Sequence, residues 1–180
     1  MLTDAAIRTL AHSGLRGLTH RAVDRAAGVA EGSTSYYFRT RDALLNATMA
    51  RLAELSRAEL AAVDSADLDS MVGLFEHWVT TGRDRHLARF ELTLESVRRP
   101  GLRDALHEAA DGFRTLATDM LAAAGVPDAR RRAADLVTHV DGLLFDELVE
   151  RRRSRAELQA VLEPLLRSAF GQVPVHKPGR

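Results

Sequence analysis

Apolar residues recur along this 180-residue chain at spacings of three and four, and no segment alternates at a spacing of two. That period belongs to amphipathic helices, not strands. Ala6, Ile7, Leu10 and Ala11 form the inner face of a first helix, with Thr3 placed to cap it and Gly14 and Gly17 to end it. Thr19 can cap a short second helix carrying Ala22, Val23 and Ala26 inward, and Gly28 breaks it. A third helix of about two turns runs from near Glu31 to Phe38. Thr40 then caps a long helix with Leu44, Leu45, Met49, Leu52 and Leu55 on its stripe.

The period restarts beyond Asp64. Leu68, Met71, Val72, Phe75, Trp78 and Val79 form one stripe, and Leu87, Phe90, Leu94 and Val97 the next, closed by Pro100-Gly101. Leu102, Leu106, Phe113, Leu116 and Met120 follow, ended by Gly125. Pro127 and Asp128 open a helix whose apolar positions cover more than one face. Ser154 with Glu157 is a capping box that starts a last helix, and Pro164 inside it should kink it. The expected fold class is all-α.

One segment contradicts its own propensity. Ser33, Thr34, Ser35, Tyr36 and Tyr37 stand in a row, and all are mediocre helix formers. A helix selected for stability would hold Ala, Leu, Glu or Lys there. A helix selected to touch something polar would look like this one.

Composition narrows the classes. Hydrophobic residues make up 46% and charged residues 28%, an ordinary globular balance. Lys plus Arg equal Asp plus Glu at 25 each, so net charge does not point to nucleic acid and local features must carry any such claim. The absence of Cys excludes disulfides, Cys-ligated zinc and thiol catalysis. The N-terminus lacks the basic and apolar regions of a signal peptide, and no run approaches the roughly 18 apolar residues of a membrane span. No membrane partner and a cytoplasmic location are therefore expected. No HExxH, P-loop, GxGxxG or GxSxG occurs, and the seven His are scattered, so no metal, cofactor or catalytic residue is assigned. The arginine runs at 130–132 and 151–153 read as solvated helix ends.

The second and third helices, joined through Gly28-Val29-Ala30, have the length and turn of a helix-turn-helix, in which the second helix enters the major groove. Ser33, Thr34 and Ser35 are small and can both donate and accept toward base edges. Tyr and Arg side chains reach phosphates, and Arg41 stands beside the Thr40-capped helix start. Phe38 points inward. With Thr19, Ala27-Gly28-Val29, Gly32, Tyr36-Tyr37-Phe38, Arg41 and Leu44 in this arrangement, the chain resembles the TetR family of bacterial regulators over roughly its first 50 residues. The resemblance implies about nine helices per subunit, a helix-turn-helix domain over residues 1–46, a ligand-binding and dimerisation domain over 47–170, and a disordered tail over 171–180. It places Thr19, Ser33, Tyr37 and Arg41 at double-stranded DNA, read as a palindromic operator by a homodimer, and the polar character of the segment adds Glu31, Gly32, Thr34, Ser35, Tyr36 and Arg39 to the DNA-facing set. The family usually has an apolar residue where this chain has Thr34, and often Tyr where it has Ser35. Ala30 replaces a common capping Ser, and Glu31 is acidic in a helix meant to meet phosphates.

The same resemblance implies a cavity for a small-molecule effector, apolar or amphipathic, bordered by Phe75, Trp78, Phe90, Leu94, Phe113, Leu116, Met120 and His139, with His77 and Thr93 as further polar groups. It places Val140, Leu143, Leu144, Leu148, Leu158, Val161, Leu162 and Leu165 at the dimer interface. Taken alone, the apolar stripes describe a filled core better than a cavity. Two competing functions remain: a helical enzyme using an acid/base pair among Glu91, Glu95, His139 and Asp141, and a helical dimeric adaptor. The enzyme reading does not explain the Tyr-Arg segment, and its candidates stand at no telling spacing.

Overall fold

The computed structural model describes residues 1–62, 67–150 and 153–171. The tail from residue 172 and the arginines at 151 and 152 lie outside these residues. Among the described residues there are nine helices and no strand: α1 Leu2–Gly17, α2 His20–Ala27, α3 Ser33–Tyr37, α4 Arg41–Ala61, α5 Leu68–Val79, α6 Arg83–Ser96, α7 Pro100–Ala123, α8 Ala129–Val149 and α9 Arg155–Phe170. None of them is long and apolar enough to cross a membrane.

Several termini follow from their residues. Thr19 caps α2 by accepting from the Ala22 N–H, and Thr40 does the same for α4 from Ala43. Ser154 and Glu157 cap α9 reciprocally. Pro164 lies inside α9 without ending it. Thr3 is not a cap, because α1 begins at Leu2 behind Met1. Asp67, with its carboxylate accepting from the Ser70 N–H, caps α5. Gly14 breaks the helical path of α1 at φ 60°, and the freed Leu15 N–H donates to Glu91 of α6 at 3.3 Å.

The helices gather into two compact units. One contains Met1–Arg57 with Gly82–Asp111. Its core joins the predicted stripes of α1, α2 and α4 (Ile7, Leu10, Val23, Leu44, Leu45, Met49, Leu52) to Ala88 and Leu92 of α6 and Leu102 of α7, with Phe38 packed against it. The boundary expected after residue 46 thus falls within α4, and α6 shares a core with the helix-turn-helix segment. The second unit contains Ala58–Thr81 and the described residues from Gly112 onward. There α5, α8 and α9 pack on one another. Arg155 at the start of α9 donates to Asp69 and Glu76 of α5, and Arg153 donates to the buried Glu147 of α8.

Candidate nucleic-acid interface and apolar cavity

The interface begins with α2, a turn and α3. The α2 helix ends at Gly28, whose φ of 66° is the left-handed conformation that favours glycine. The turn ends at Gly32, with φ 95°, which serves as the N-cap of α3 and brings no side chain to cap it. Five residues make a helix too short to persist alone, since nucleation is the costly step. Its hold comes from α2. The Asp24 carboxylate accepts from the Gly32 N–H (2.8 Å), the Thr34 N–H (2.7 Å) and the Thr34 hydroxyl (2.5 Å). At the other end, His20 Nε2 donates to the Phe38 carbonyl at 2.7 Å. Asp24 is 2% exposed and Thr34 fully buried. The Thr34 hydroxyl, the backbone N–H groups of Thr34 and Gly32, and the nearby His20 hold the Asp24 carboxyl below the ordinary carboxylate value, against the opposing effect of burial.

This corrects the expectation for Thr34. Its side chain is turned into the protein, where it answers a buried carboxylate, so it cannot reach a base edge. It fills the inward position at which the resemblance leads one to expect an apolar residue. Arg41 is also corrected. Its guanidinium donates to the carbonyls of Leu15 and Leu18, closing the end of α1 instead of projecting from the α4 terminus. The orphan carbonyls of a helix end are natural partners for such a fork of donors.

Most of the remaining residues are exposed. Tyr36 and Tyr37 are 78% and 69% exposed, with rings edge-to-face at 5.2 Å between centroids. Thr19, Ser35 and Arg39 are exposed, as is Gly32. Ser33 is half-buried and its hydroxyl donates to the Ala30 carbonyl at 2.7 Å. Glu31 is offset by Arg21, whose Nε lies 2.6 Å away. Sequence reasoning missed Asp24 and His20. The missing cap at Ala30 was the available signal, because it requires another acceptor for the first turn of α3.

The second unit holds an apolar cavity of about 70 Å³. Its walls are Leu60 of α4, Met71, Phe75 and Trp78 of α5, Phe113, Ala117, Met120 and Leu121 of α7, Leu136, Val137 and Val140 of α8, and Leu162, Leu166 and Phe170 of α9. The Trp78 ring lies 6.3 Å from Phe75 and 6.4 Å from Phe113 between centroids. Phe75, Trp78, Phe113 and Met120 are among these walls.

Phe90, Leu94, Leu116 and His139 do not line it. On α6 the inward residues are Ala88 and Leu92, and a shift of two positions turns Phe90 and Leu94 to the opposite side. Leu94 is exposed, and the Arg89 guanidinium lies over the Phe90 ring at 4.3 Å. Leu116 is half-buried beside the α7 stripe. His139 is exposed and donates to the Asp135 carbonyl of its own helix. Of the other polar groups, His77 bonds Glu59 at 2.9 Å and the Thr93 hydroxyl donates to the Arg89 carbonyl.

The residues considered for acid/base chemistry do not converge on this cavity. Glu91 serves the break in α1, Glu95 binds Arg99 at 2.5 Å, and neither His139 nor Asp141 is among its walls. No group of His, Cys, Asp and Glu among the described residues is arranged to hold a metal.

The apolar residues expected at a dimer interface divide into two sets. Leu144, Leu148, Leu158 and Leu162 are buried within the chain's own core, so they have no surface left to give a partner. Val140 lines the cavity, and Leu143 and Leu165 are half-buried. Val161 is exposed, as are Phe145 (47%) and Val149 (60%), which were not anticipated.

Comparison with known proteins agrees with this geometry. Residues 63–171 match the family described as "Tetracyclin repressor-like, C-terminal domain", and residues 2–48 match "Bacterial regulatory proteins, tetR family". A protein of Burkholderia thailandensis named HTH-type transcriptional regulator BetI is 29% identical over 164 residues, which cover 79% of this chain and 77% of that relative. A transcriptional regulator from Rhodococcus sp. Rha1 has the same fold, with a TM-score of 0.82 at 22% identity over 98% of this chain and 97% of the other. The multidrug binding protein EbrR, in complex with ethidium, superposes with a TM-score of 0.70 at 29% identity, covering 97% of each chain. Together, the helix-turn-helix of α2 and α3, the all-helical unit with its apolar cavity, and family matches across both segments establish that this chain belongs to the TetR family of bacterial transcriptional regulators.

Proposed function

We propose that this protein is a homodimeric repressor that binds a palindromic operator through α3 and is released by a small molecule occupying the cavity between α4, α5, α7, α8 and α9. The observation that carries the reading is the exposed Tyr36–Tyr37 pair on a helix whose inner side is fully bonded. Two large aromatic phenols left in water cost burial that a structural helix would keep, and they suit contact with phosphate oxygens. Ser35 and Arg39 flank them, and Thr19 caps the helix behind. Such a regulator works in the bacterial cytoplasm.

The second copy is expected to seat on the face carrying Phe145, Val149 and Val161. A two-fold dimer would place its two α3 helices in successive major grooves, roughly 34 Å apart, to read a two-fold site. The cavity walls favour an uncharged, predominantly apolar effector. EbrR is described with ethidium and proflavin, but among the described wall residues here none is charged. The cavity is also small. A benzene-sized guest needs about 150 Å³, so an effector of ordinary size must displace wall side chains such as Met120 and Phe113. Binding would then be tied to a change of shape.

The test is selection of bound duplexes from a randomised DNA pool. Enrichment of a two-fold symmetric site with half-sites one helical turn apart is the expected result. Recovery of no preferred sequence, or of a single asymmetric half-site, refutes the proposed repressor.

A further inference from the structure

We propose that Asp24 is the positioning residue of the recognition helix: through its hydrogen bonds with Gly32 and Thr34 it sets the pose of α3 and thereby the discrimination of the operator from other DNA. The proposal rests on the reading of α3 as the DNA-reading element.

Three observations carry it. First, α3 has only five residues, and its N-cap is a glycine without a side-chain cap. The Ser33 N–H finds the Ala30 carbonyl within the turn, but the Gly32 and Thr34 N–H groups take their acceptor from α2. Second, Asp24 spends both carboxylate oxygens on that turn, with Oδ2 on the Gly32 N–H and Oδ1 on the N–H and hydroxyl of Thr34. Its main-chain carbonyl also accepts from the Val29 N–H at 3.1 Å, closing the turn between the two helices. Third, His20 lies one helical turn before Asp24 on the same side of α2 and holds the far end of α3 at the Phe38 carbonyl. One face of α2 thus grips α3 at both ends.

A hydrogen-bonded grip differs from an apolar one in kind. Apolar contact is non-directional, so a short helix resting on it can roll or slide at small cost. A carboxylate shared by three donors at 2.5–2.8 Å fixes both the register and the rotation of the helix. Contacts to phosphates tolerate small rotations, whereas hydrogen bonds to base edges do not. Loosening the grip should therefore lower sequence discrimination more than general affinity for DNA.

The experiment uses full-length Thr34→Val, Thr34→Ser, Asp24→Asn and the double variant Asp24→Ala/Thr34→Leu. Each is measured for thermal midpoint and for affinity toward the selected operator and an unrelated duplex of equal length. Thr34→Val keeps shape and loses the hydroxyl. It is expected to weaken operator binding at least tenfold while leaving affinity for the unrelated duplex, and its salt slope, within twofold. Asp24→Asn should do the same, and Thr34→Ser should restore discrimination. The double variant refills the space with apolar atoms, so it should fold and still discriminate poorly. Amide exchange at Gly32 and Thr34, read without DNA, should accelerate in Asp24→Asn. A folded double variant with wild-type discrimination overturns the proposal, as does an equal fall in both affinities for Thr34→Val. Wild-type protein with no preferred site overturns the DNA reading itself and the proposal with it, an outcome told apart because amide protection would remain.

Discussion

Replacing Phe145 with glutamate should abolish the dimer while sparing the fold. Phe145 is 47% exposed on α8, and a phenylalanine encloses roughly 200 Å² when fully buried, so about 90 Å² is left for a partner to cover. At about 25 cal/mol per Å² this area contributes about 2.3 kcal/mol. A two-fold interface uses each residue twice, which raises the contribution to about 4–5 kcal/mol per dimer. With about 1.4 kcal/mol per tenfold change, the dimer dissociation constant should weaken by about three orders of magnitude. Carboxylates facing an apolar partner add to the loss. Sedimentation equilibrium over a dilution series reads the constant, and circular dichroism checks that the thermal midpoint holds. A folded Phe145→Glu protein whose dimer constant moves by less than threefold would refute the assignment of this face.

Other substitutions separate core from surface. Leu162→Glu puts a charge in a buried wall of the cavity, so it should cost about 4 kcal/mol or more of folding stability. Thermal melts should then show loss of the fold and not a stable monomer. Arg41→Ala removes the donors to Leu15 and Leu18 and should lower stability by about 1.5–3 kcal/mol. It should leave the salt slope of DNA binding unchanged, and a reduced slope would restore Arg41 as a phosphate contact. Because the Asp24 carboxyl is held below its ordinary value of 3.8, chiefly by the Thr34 hydroxyl, its contribution to stability is fully present above that pH and is lost as pH falls further. The gap in thermal midpoint between wild type and Asp24→Asn should therefore be constant near neutrality and narrow below pH 3.8. A gap that widens on acidification contradicts the hydrogen-bonded pair.

Much of the fold was legible because the helical period is long and repeated. The stripes of α1, α4 and α5 and the caps at Thr19, Thr40 and Ser154 needed only local rules. Orientation within α3 was not legible, since five residues are less than two turns and show no period. Thr34 and Ser35 look alike as text, yet one is buried and the other exposed. The α6 helix misled for a different reason. Phe90 and Leu94 are more apolar than Ala88, but the small residue packs inward. The leucines of α8 and α9 exceed one face, and the text does not say which of them serve the chain's own core and which serve a partner. The larger exposed groups, Phe145 and Val149, were hidden among them. Asp24 escaped notice because its partners lie eight and ten positions away, beyond any helical spacing.

The central claim is that operator and effector binding oppose each other through one protein. A hundredfold release corresponds to about 2.7 kcal/mol of coupling, within the usual allosteric range. The direct measurement is Trp78 emission during titration with an uncharged apolar compound that releases the protein from its selected duplex, performed with and without that duplex. Trp78 borders the cavity and is the only tryptophan in the chain, so its emission reports occupancy. The account predicts that the duplex weakens the compound's affinity by the same factor by which the compound weakens the duplex. Equal affinity for the compound with and without the duplex would contradict it.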